Sequence, residues 1–306
     1  MPCYFPLQAK FSLRKDGKKD IKFSATNARL FSKGLSFHGD NNLSLPCGNC
    51  MGCRLERSRQ WAVRCLHESK CFEDNCFVTL TYADEFLPEG GTLVRKDIQD
   101  FVKRLRMYFS DRKIRVFYCG EYGDKMARPH YHLILFNLDF PDKEKLFKIQ
   151  DNWVYGSKIL QSLWKFGHSS IGAFSFESAA YVARYCTKKI NGSLAKDHYN
   201  GRVPEFAGMS LKPGIGASWF EKFGRSDLFP HDNLVVRGAK CKPPRYYDIL
   251  RERVDPDGFA KAKLARKELG ESMAHDSTFK RLATRLKCFE AKTKVLVRKL
   301  EKGFYG

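Results

Sequence analysis

The segment Pro129-His130-Tyr131-His132-Leu133-Ile134-Leu135-Phe136 carries two imidazoles, two residues apart, in a run suited to a strand. Strand side chains alternate between faces, so His130 and His132 point together, with Ile134 and Phe136 following on that face. Tyr131, Leu133 and Leu135 take the other face. Rings about 7 Å apart along one face can converge on a cation above the strand. Glu121 ends the preceding strand-like stretch, and the short 122–129 connection predicts that it stands beside the pair. Two His and one carboxylate leave coordination positions open, as a catalytic rather than a structural metal requires. The plainer alternative is that both rings cap a sheet face and pack there.

A second set of reactive groups lies at 180–190, Ala-Tyr-Val-Ala-Arg-Tyr-Cys-Thr-Lys-Lys-Ile. At helical spacing Tyr181 and Tyr185 stack on one face, with Lys188 and Lys189 about one turn on. A tyrosine hydroxyl, with an ordinary pKa of about 10, is a poor nucleophile near neutrality. It becomes useful where a metal polarises the electrophile and cations stabilise the charge that develops. In a basic chain the natural electrophile is a phosphodiester. Attack would cut one strand and leave a phosphotyrosine link, and a second Tyr on the same face could attack in turn. Taken alone, a Tyr pair at this spacing equally describes core packing.

Cys47, Cys50 and Cys53 form a third cluster, at C-x2-C-x2-C spacing in a Gly-containing loop before a helix. Tetrahedral zinc needs four N or S donors. Cys3 is the leading candidate for the fourth, since it would pin the N-terminal segment to this loop, and His38 is the runner-up. The alternatives are free thiols, or an iron–sulfur cluster, which also needs four Cys. A metal here would steady the start of the following helix, whose Arg54, Arg57 and Arg64 are candidate contacts to DNA phosphates. The other Cys, at 65, 71, 76, 119, 186, 241 and 288, sit in apolar stretches and read as small core residues.

The elements that must position these groups follow from periodicity. Residues 54–72 read as a helix and Cys76–Tyr82 as a β-branched, aromatic strand. Between Arg95 and Phe109, Ile98, Phe101, Val102, Leu105, Tyr108 and Phe109 make an amphipathic helix. Strands over 114–121 and 130–136, a helix near 157–165, a strand near 169–176 and a helix over 177–190 complete the block. Adjacent strands joined by a short loop are antiparallel, so the class is α+β, an antiparallel sheet with helices on its faces. Residues 1–53 read as an irregular N-terminal segment holding the Cys cluster, 54–190 as the catalytic core and 191–245 as an irregular Gly/Pro-rich extension. Residues 246–306 read as a basic helical tail, with Asp255-Pro256 opening its helix. Phe279, Leu282, Leu286, Phe289, Thr293, Leu296 and Leu300 repeat at 3–4 spacing, which fits a helix lying back on its own domain better than a coiled coil.

Composition sets outer limits. The 306 residues carry 55 Lys plus Arg against 34 Asp plus Glu, a net +21, which predicts a polyanionic partner. From Arg237 onward, 19 basic residues face 9 acidic ones, so nearly half of that charge lies in the last quarter. Apolar residues at 43% exclude a disordered polyelectrolyte. No apolar run is long enough to span a bilayer and no export signal is visible, which predicts a cytosolic, reducing location and no membrane partner. No G-x-x-x-x-G-K-[ST] loop occurs, so ATP-driven unwinding is not expected of these residues.

Glu121, His130-Tyr131-His132 and the Tyr181/Tyr185 helix, in that order, resemble the HUH endonucleases that initiate rolling-circle replication. Closer still is the resemblance to the replication initiators of microviruses, and of their gokushovirus branch. It rests on Pro-Cys-Gly-x-Cys-x-Gly-Cys-Arg at 46–54, Phe-Val-Thr-Leu-Thr-Tyr at 77–82, Gly-Glu-Tyr-Gly at 120–123, Arg-Pro-His-Tyr-His at 128–132 and Met-Ser-x-x-Pro-Gly-Ile-Gly at 209–216. The resemblance runs from about residue 3 to 220 and covers the tail only weakly. It implies a five-stranded HUH sheet and a Mg2+ or Mn2+ ion on His130, His132 and Glu121. From ligand types alone, Zn2+ or Fe2+ suits the same set. It further implies nicking of the viral origin through a 5′-phosphotyrosine, re-ligation of single-stranded circles, and reliance on a host helicase and DNA polymerase in the bacterial cytoplasm. Of the two tyrosines, Tyr181 is the favoured first nucleophile. Two other readings remain open: an HUH relaxase or transposase with the same chemistry, and a non-catalytic zinc-dependent DNA-binding protein.

Overall fold

A computed structural model of the chain describes residues 3–14, 16, 19–23, 42–123, 126–149, 152–185 and 194–301. In chain order the first elements are β1 (Leu7–Leu13), β2 (Lys19–Phe23), β3 (Asn42–Leu45), α1 (Met51–Ser69) and β4 (Asn75–Tyr82). Next come α2 (Arg95–Tyr108), β5 (Arg115–Tyr122), β6 (Pro129–Phe136) and the hairpin of β7 (Glu144–Ile149) and β8 (Asn152–Gly156). Then follow α3 (Lys158–Leu163), β9 (Gly167–Ala173), α4 (Phe176–Tyr185), α5 (Leu194–Tyr199) and β10 (Phe206–Met209). The chain continues through α6 (Ala217–Phe223), the short strands β11 (Leu234–Val236) and β12 (Ala239–Cys241), α7 (Arg245–Val254), α8 (Pro256–Ser272) and α9 (Phe279–Glu301). Two compact units result, one from residues 1–56 with 257–306 and one from residues 57–256.

The 57–256 unit is built on a seven-stranded sheet in the order β10-β5-β6-β4-β9-β8-β7, antiparallel at every pairing. The α+β class and the strands that carry His130, His132 and Glu121 are therefore as expected. The sheet is wider than the five strands implied, because a hairpin and a short edge strand join it. The β7 strand exposes five of its six side chains, so no burial alternation marks it in the sequence. The edge strand β10 has four residues, and its Gly208 pairs with Tyr118 of β5. A Cβ at Gly208 would lie 2.2 Å from the Tyr118 ring, so the edge closes only over glycine.

Both sheet faces are covered, and periodicity decides by what. Val78, Leu80, Tyr131, Leu133 and Leu135 pack on one face with Ile98, Phe101, Val102 and Leu105 of α2 and with Leu160 of α3. Each such α2 side chain contributes about 1.5–3 kcal/mol through burial. On the opposite face Phe77, Phe117, Cys119, Ile134 and Phe136 meet Ala62 and Cys65 of α1 and Ala179 and Val182 of α4. Within the 191–245 stretch, the described residues 194–245 carry regular elements. It supplies β10, and its Trp219, Phe220, Leu228 and Leu234 form a third cluster with Val63 and Tyr247.

In the other unit, β1, β2 and β3 form a sheet in the order β2-β1-β3 where irregular chain was expected. Leu7, Ala9, Phe11 and Leu13 do alternate with Gln8, Lys10 and Ser12, so the strand signal was present. Of the apolar stripe on α9, Leu282 is buried and Phe289 stacks with Tyr4 at 5.8 Å, both within this unit. Side chains from 293 onward lie outside the described residues. Among the Cys expected in cores, Cys65, Cys76 and Cys119 are buried and Cys71 and Cys241 half-buried, but Cys288 is exposed on the polar side of α9. Cys186 lies outside the described residues. Among the described residues no helix is long and apolar enough to cross a membrane.

Candidate active site

The tight β5–β6 connection, closed by the Gly123 amide donating to the Arg128 carbonyl at 3.0 Å, sets an antiparallel register that pairs Glu121 directly with His130. His132 pairs with Cys119 on that side and with Thr79 of β4 on the other. Glu121, His130 and His132 are thus gathered on the centre of the sheet and are 1%, 6% and 4% exposed. Tyr131, between the two His, faces the opposite core and anchors the strand. Its hydroxyl donates to the Val94 carbonyl at 2.8 Å, accepts from the Val94 amide at 2.9 Å and meets the Tyr82 hydroxyl at 2.8 Å. Burial pushes Tyr131 up to about 12.

Both imidazoles aim Nε2 at one carboxylate oxygen: Glu121 Oε1 lies 2.8 Å from His130 and 3.1 Å from His132. Burial raises the Glu121 pKa, but hydrogen bonds from His130 and His132 outweigh it, and the carboxyl is held below its ordinary value. The far nitrogens are fixed as well. His130 Nδ1 donates to the Arg128 carbonyl at 3.0 Å, and His132 Nδ1 lies 3.0 Å from the Thr79 hydroxyl. A neutral imidazole has one N–H. With Arg128 O on one side of His130 and Glu121 Oε1 on the other, both ring nitrogens face acceptors, an arrangement that a cation between Nε2 and the carboxylate would satisfy. Glu121 Oε2 adds an orphan, a buried oxygen with no hydrogen-bond partner among the described residues. The three donor atoms lie within 4.8 Å of one another. Adjacent donors around an octahedral ion with bonds of about 2.1 Å stand about 3 Å apart. The residues present therefore fit a small divalent cation.

Thr79 and Arg128 are the site residues that sequence reasoning missed. Arg128 ties the turn down with its guanidinium, which donates to the Tyr82 carbonyl at 2.7 Å and to Asp84 at 2.7 Å. Partners of this kind orient metal-binding imidazoles. Thr79 and Thr81, the two hydroxyl residues within the Phe77–Tyr82 run, were the available signal.

Helix α4 crosses the His-bearing face. The Tyr181 ring stands edge-on to His132, with centroids 5.2 Å apart at 81°, and edge-on to Phe77 at 6.4 Å. Phe77 in turn stacks on His132 at 5.4 Å. One of the two candidate nucleophiles is thereby brought against the carboxylate–imidazole cluster. The side chain of Tyr185, and Lys188 and Lys189 altogether, lie outside the described residues.

The arginine candidates separate. Arg57 is exposed and Arg54 half-buried. Arg64 is half-buried and held by contacts within its own unit. Its guanidinium lies 4.0 Å from the centres of both the Trp61 and the Tyr246 rings, and Nε donates to the Ile215 carbonyl at 2.9 Å. A groove of about 720 Å³ beside the start of β5 is lined instead by Lys103, Arg106, Arg112, Lys113 and Lys212, with no acidic lining residue. In the other unit the sulfurs of Cys3, Cys47, Cys50 and Cys53 converge within 4.8 Å, so the fourth member is Cys3; His38 lies outside the described residues.

Comparison with known proteins agrees with this architecture. Residues 75–190 match the family model described as Replication-associated protein ORF2/G2P. The chain is 33% identical to Replication-associated protein VP4 of Bdellovibrio phage phiMH2K over 89% of its own length and 85% of that protein's. It is 35% identical to Replication-associated protein ORF2 of Spiroplasma virus 4, over 92% and 89% of the two chains. The chain belongs to the gokushovirus-type phage replication-associated proteins. Replication-associated protein ORF4 of Chlamydia phage 1 is 32% identical over 70% of this chain and 55% of that one. No solved structure matches the chain. The family model spans β4 to the end of α4, the stretch that carries Glu121, both His and Tyr181.

Proposed function

We propose that this replication-associated protein is a metal-dependent endonuclease and strand transferase that starts rolling-circle replication at the viral origin in the host cytoplasm. The observation that carries this is the buried Glu121–His130–His132 cluster, with an orphan carboxylate oxygen and the Tyr181 ring against His132. Glu121, His130 and His132 would hold one divalent ion, Mg2+ or Mn2+. When bound, the ion supplies polarisation of a phosphodiester oxygen.

The remaining work falls to the chain itself. The Tyr181 hydroxyl oxygen attacks phosphorus and loses its proton, while the P–O3′ bond breaks and the departing 3′ oxygen gains one. The products are a 5′-phosphotyrosine and a free 3′-hydroxyl that can prime a host polymerase. Tyr185, one turn further along α4, is the second nucleophile: it cuts the regenerated origin, and the 3′-hydroxyl so freed attacks the Tyr181 phosphotyrosine, which closes the circle and returns the Tyr181 phenol. Lys188 and Lys189 stabilise the charge developing on the phosphate. The cations beside β5, together with Arg54 and Arg57, retain the strand, and a host helicase separates the duplex.

A cleavage assay on single-stranded origin DNA with Mn2+ tests this reading. A protein–DNA adduct that survives denaturation is expected, and the double change Tyr181→Phe with Tyr185→Phe should abolish it. His132→Ala should stop cleavage yet keep salt-sensitive DNA binding. No adduct at any metal concentration would sink the proposal.

A further inference from the structure

The unit formed by residues 1–56 and 257–306 has little apolar material with which to hold itself together. Among its described residues the buried apolar side chains are Tyr4, Ala9, Phe259 and Leu282, whereas the three apolar clusters all lie within residues 57–256. Small units of this kind need a covalent or metal staple. The four converging cysteines sit where such a staple would act. Cys3 precedes β1, Cys47 and Cys50 follow β3, and Cys53 lies in the first turn of α1. One ion on all four sulfurs would close a chain loop of some 44 residues between Cys3 and Cys47.

The local geometry already resembles a filled site. Gly48 has φ +77°, the left-handed conformation that lets the chain between Cys47 and Cys50 reverse so that both sulfurs face inward. The Cys50 amide donates to Cys47 Sγ at 3.3 Å, and the Cys47 amide donates to Cys3 Sγ at 3.2 Å. Both amides point at sulfur, the arrangement of partners found around sulfur ligands of a metal. The Cys50 and Cys3 sulfurs stand 3.9 Å apart. A tetrahedral ion with Zn–S bonds of about 2.3 Å has edges of about 3.8 Å. That spacing is far too long for a disulfide of about 2.05 Å. Four sulfurs all within 4.8 Å are also too close to surround an iron–sulfur cubane, which sits between its ligands and spreads them. Four sulfur donors with no position left for water describe a structural site rather than a catalytic one. The anionic complex also lies at the N-terminus of α1, where the helix dipole favours negative charge.

We infer that Cys3, Cys47, Cys50 and Cys53 bind one structural Zn2+ that staples the N-terminal segment to the start of α1. This site is independent of the nicking reading, and the two fail separately. Metal analysis of the full chain, purified under reducing conditions without chelators, should give one zinc per chain. Cys3→Ser should bring that below half an equivalent, while the double change His130→Ala with His132→Ala should leave it at one. Less than half an equivalent in the wild type, zinc lost with the His pair, or iron in place of zinc would each overturn the inference. Should Cys3→Ser fail to fold, cobalt substitution of the wild type decides instead. A tetrahedral four-thiolate spectrum with strong sulfur-to-metal charge transfer is expected, and a spectrum of nitrogen and oxygen ligands would overturn the site.

Discussion

The Met-Ser-x-x-Pro-Gly-Ile-Gly stretch at 209–216 is held by a buried ion pair that invites a decisive perturbation. Glu68 on α1 is fully buried and Arg115, the first residue of β5, is 4% exposed, and the two side chains are joined directly. Glu68 Oε2 also accepts the Gly216 amide at 2.6 Å, and Arg115 Nη2 donates to the Pro213 carbonyl at 2.8 Å. One pair therefore locks a helix, a sheet strand and a loop together. Glu68→Gln keeps the shape and an acceptor for Gly216, but leaves the guanidinium buried without its counter-charge. The expected cost is about 3–5 kcal/mol. Arg115→Met strands the carboxylate in the same way and should cost as much. The double variant removes both charges, loses chiefly the Pro213 hydrogen bond, and should cost only about 1–2 kcal/mol. Urea unfolding followed by tryptophan fluorescence isolates the effect, because Trp61, Trp153, Trp164 and Trp219 all lie in the 57–256 unit. With a slope of about 3 kcal/mol per molar, each single change should lower the midpoint by roughly 1–1.7 M. Either single change costing under about 1 kcal/mol, or a double cost equal to the sum, would refute the reasoning.

Three further outcomes follow from single contacts. Arg64→Ala loses two ring stackings and a hydrogen bond, so it should cost about 2–3 kcal/mol in the same urea assay. It should leave the salt dependence of DNA binding unchanged; a flatter salt slope would return Arg64 to the phosphate-contacting set. Gly167 has φ +147°, and a Cβ there would lie 2.1 Å from the Ala83 amide nitrogen and 2.5 Å from the Thr81 carbonyl oxygen, both backbone atoms. Gly167→Ala must therefore open the β4–β9 edge, and a urea midpoint within about 0.5 M of wild type would contradict that. His67, stacked on Trp219 with ring centres 3.6 Å apart, is pushed down to about 3, chiefly by burial and further by Lys70. The unfolded chain takes up this proton below about 6.5 and the folded one does not, so stability falls as pH drops from 6.5 towards 3 and is unaffected above. The loss between pH 7 and pH 5 should be about 2 kcal/mol. His67→Gln should remove that slope in pH-dependent urea titrations, and its persistence would place the titration elsewhere.

The site was legible wherever chemistry and local geometry coincide. The two His share a face because strand side chains alternate, and Glu121 reaches them because a short connection forces neighbouring antiparallel strands. Tyr181 was legible as a residue type but not as a neighbour, since its contact with His132 depends on α4 packing over the sheet through Ala179 and Val182. Arg64 was legible as a charge on a helix but not as a neighbour of the Trp61 and Tyr246 rings, the latter 182 residues away. The β7 strand gave no signal because its exposed side chains carry no burial pattern.

By itself, the sequence determined what is written in local periodicity and residue chemistry: an α+β class, a His-x-His strand with its carboxylate, a Tyr pair on one helix face and a basic chain. Tertiary structure alone decided which of these groups meet. Strand pairing set Thr79 behind His132, helix packing placed Tyr181 on the His face, and chain closure brought Cys3 to Cys47 and Cys50. The physical reason is that backbone dihedrals govern direction over a few residues, whereas encounters across dozens of residues depend on which apolar faces bury one another. That choice belongs to the whole chain.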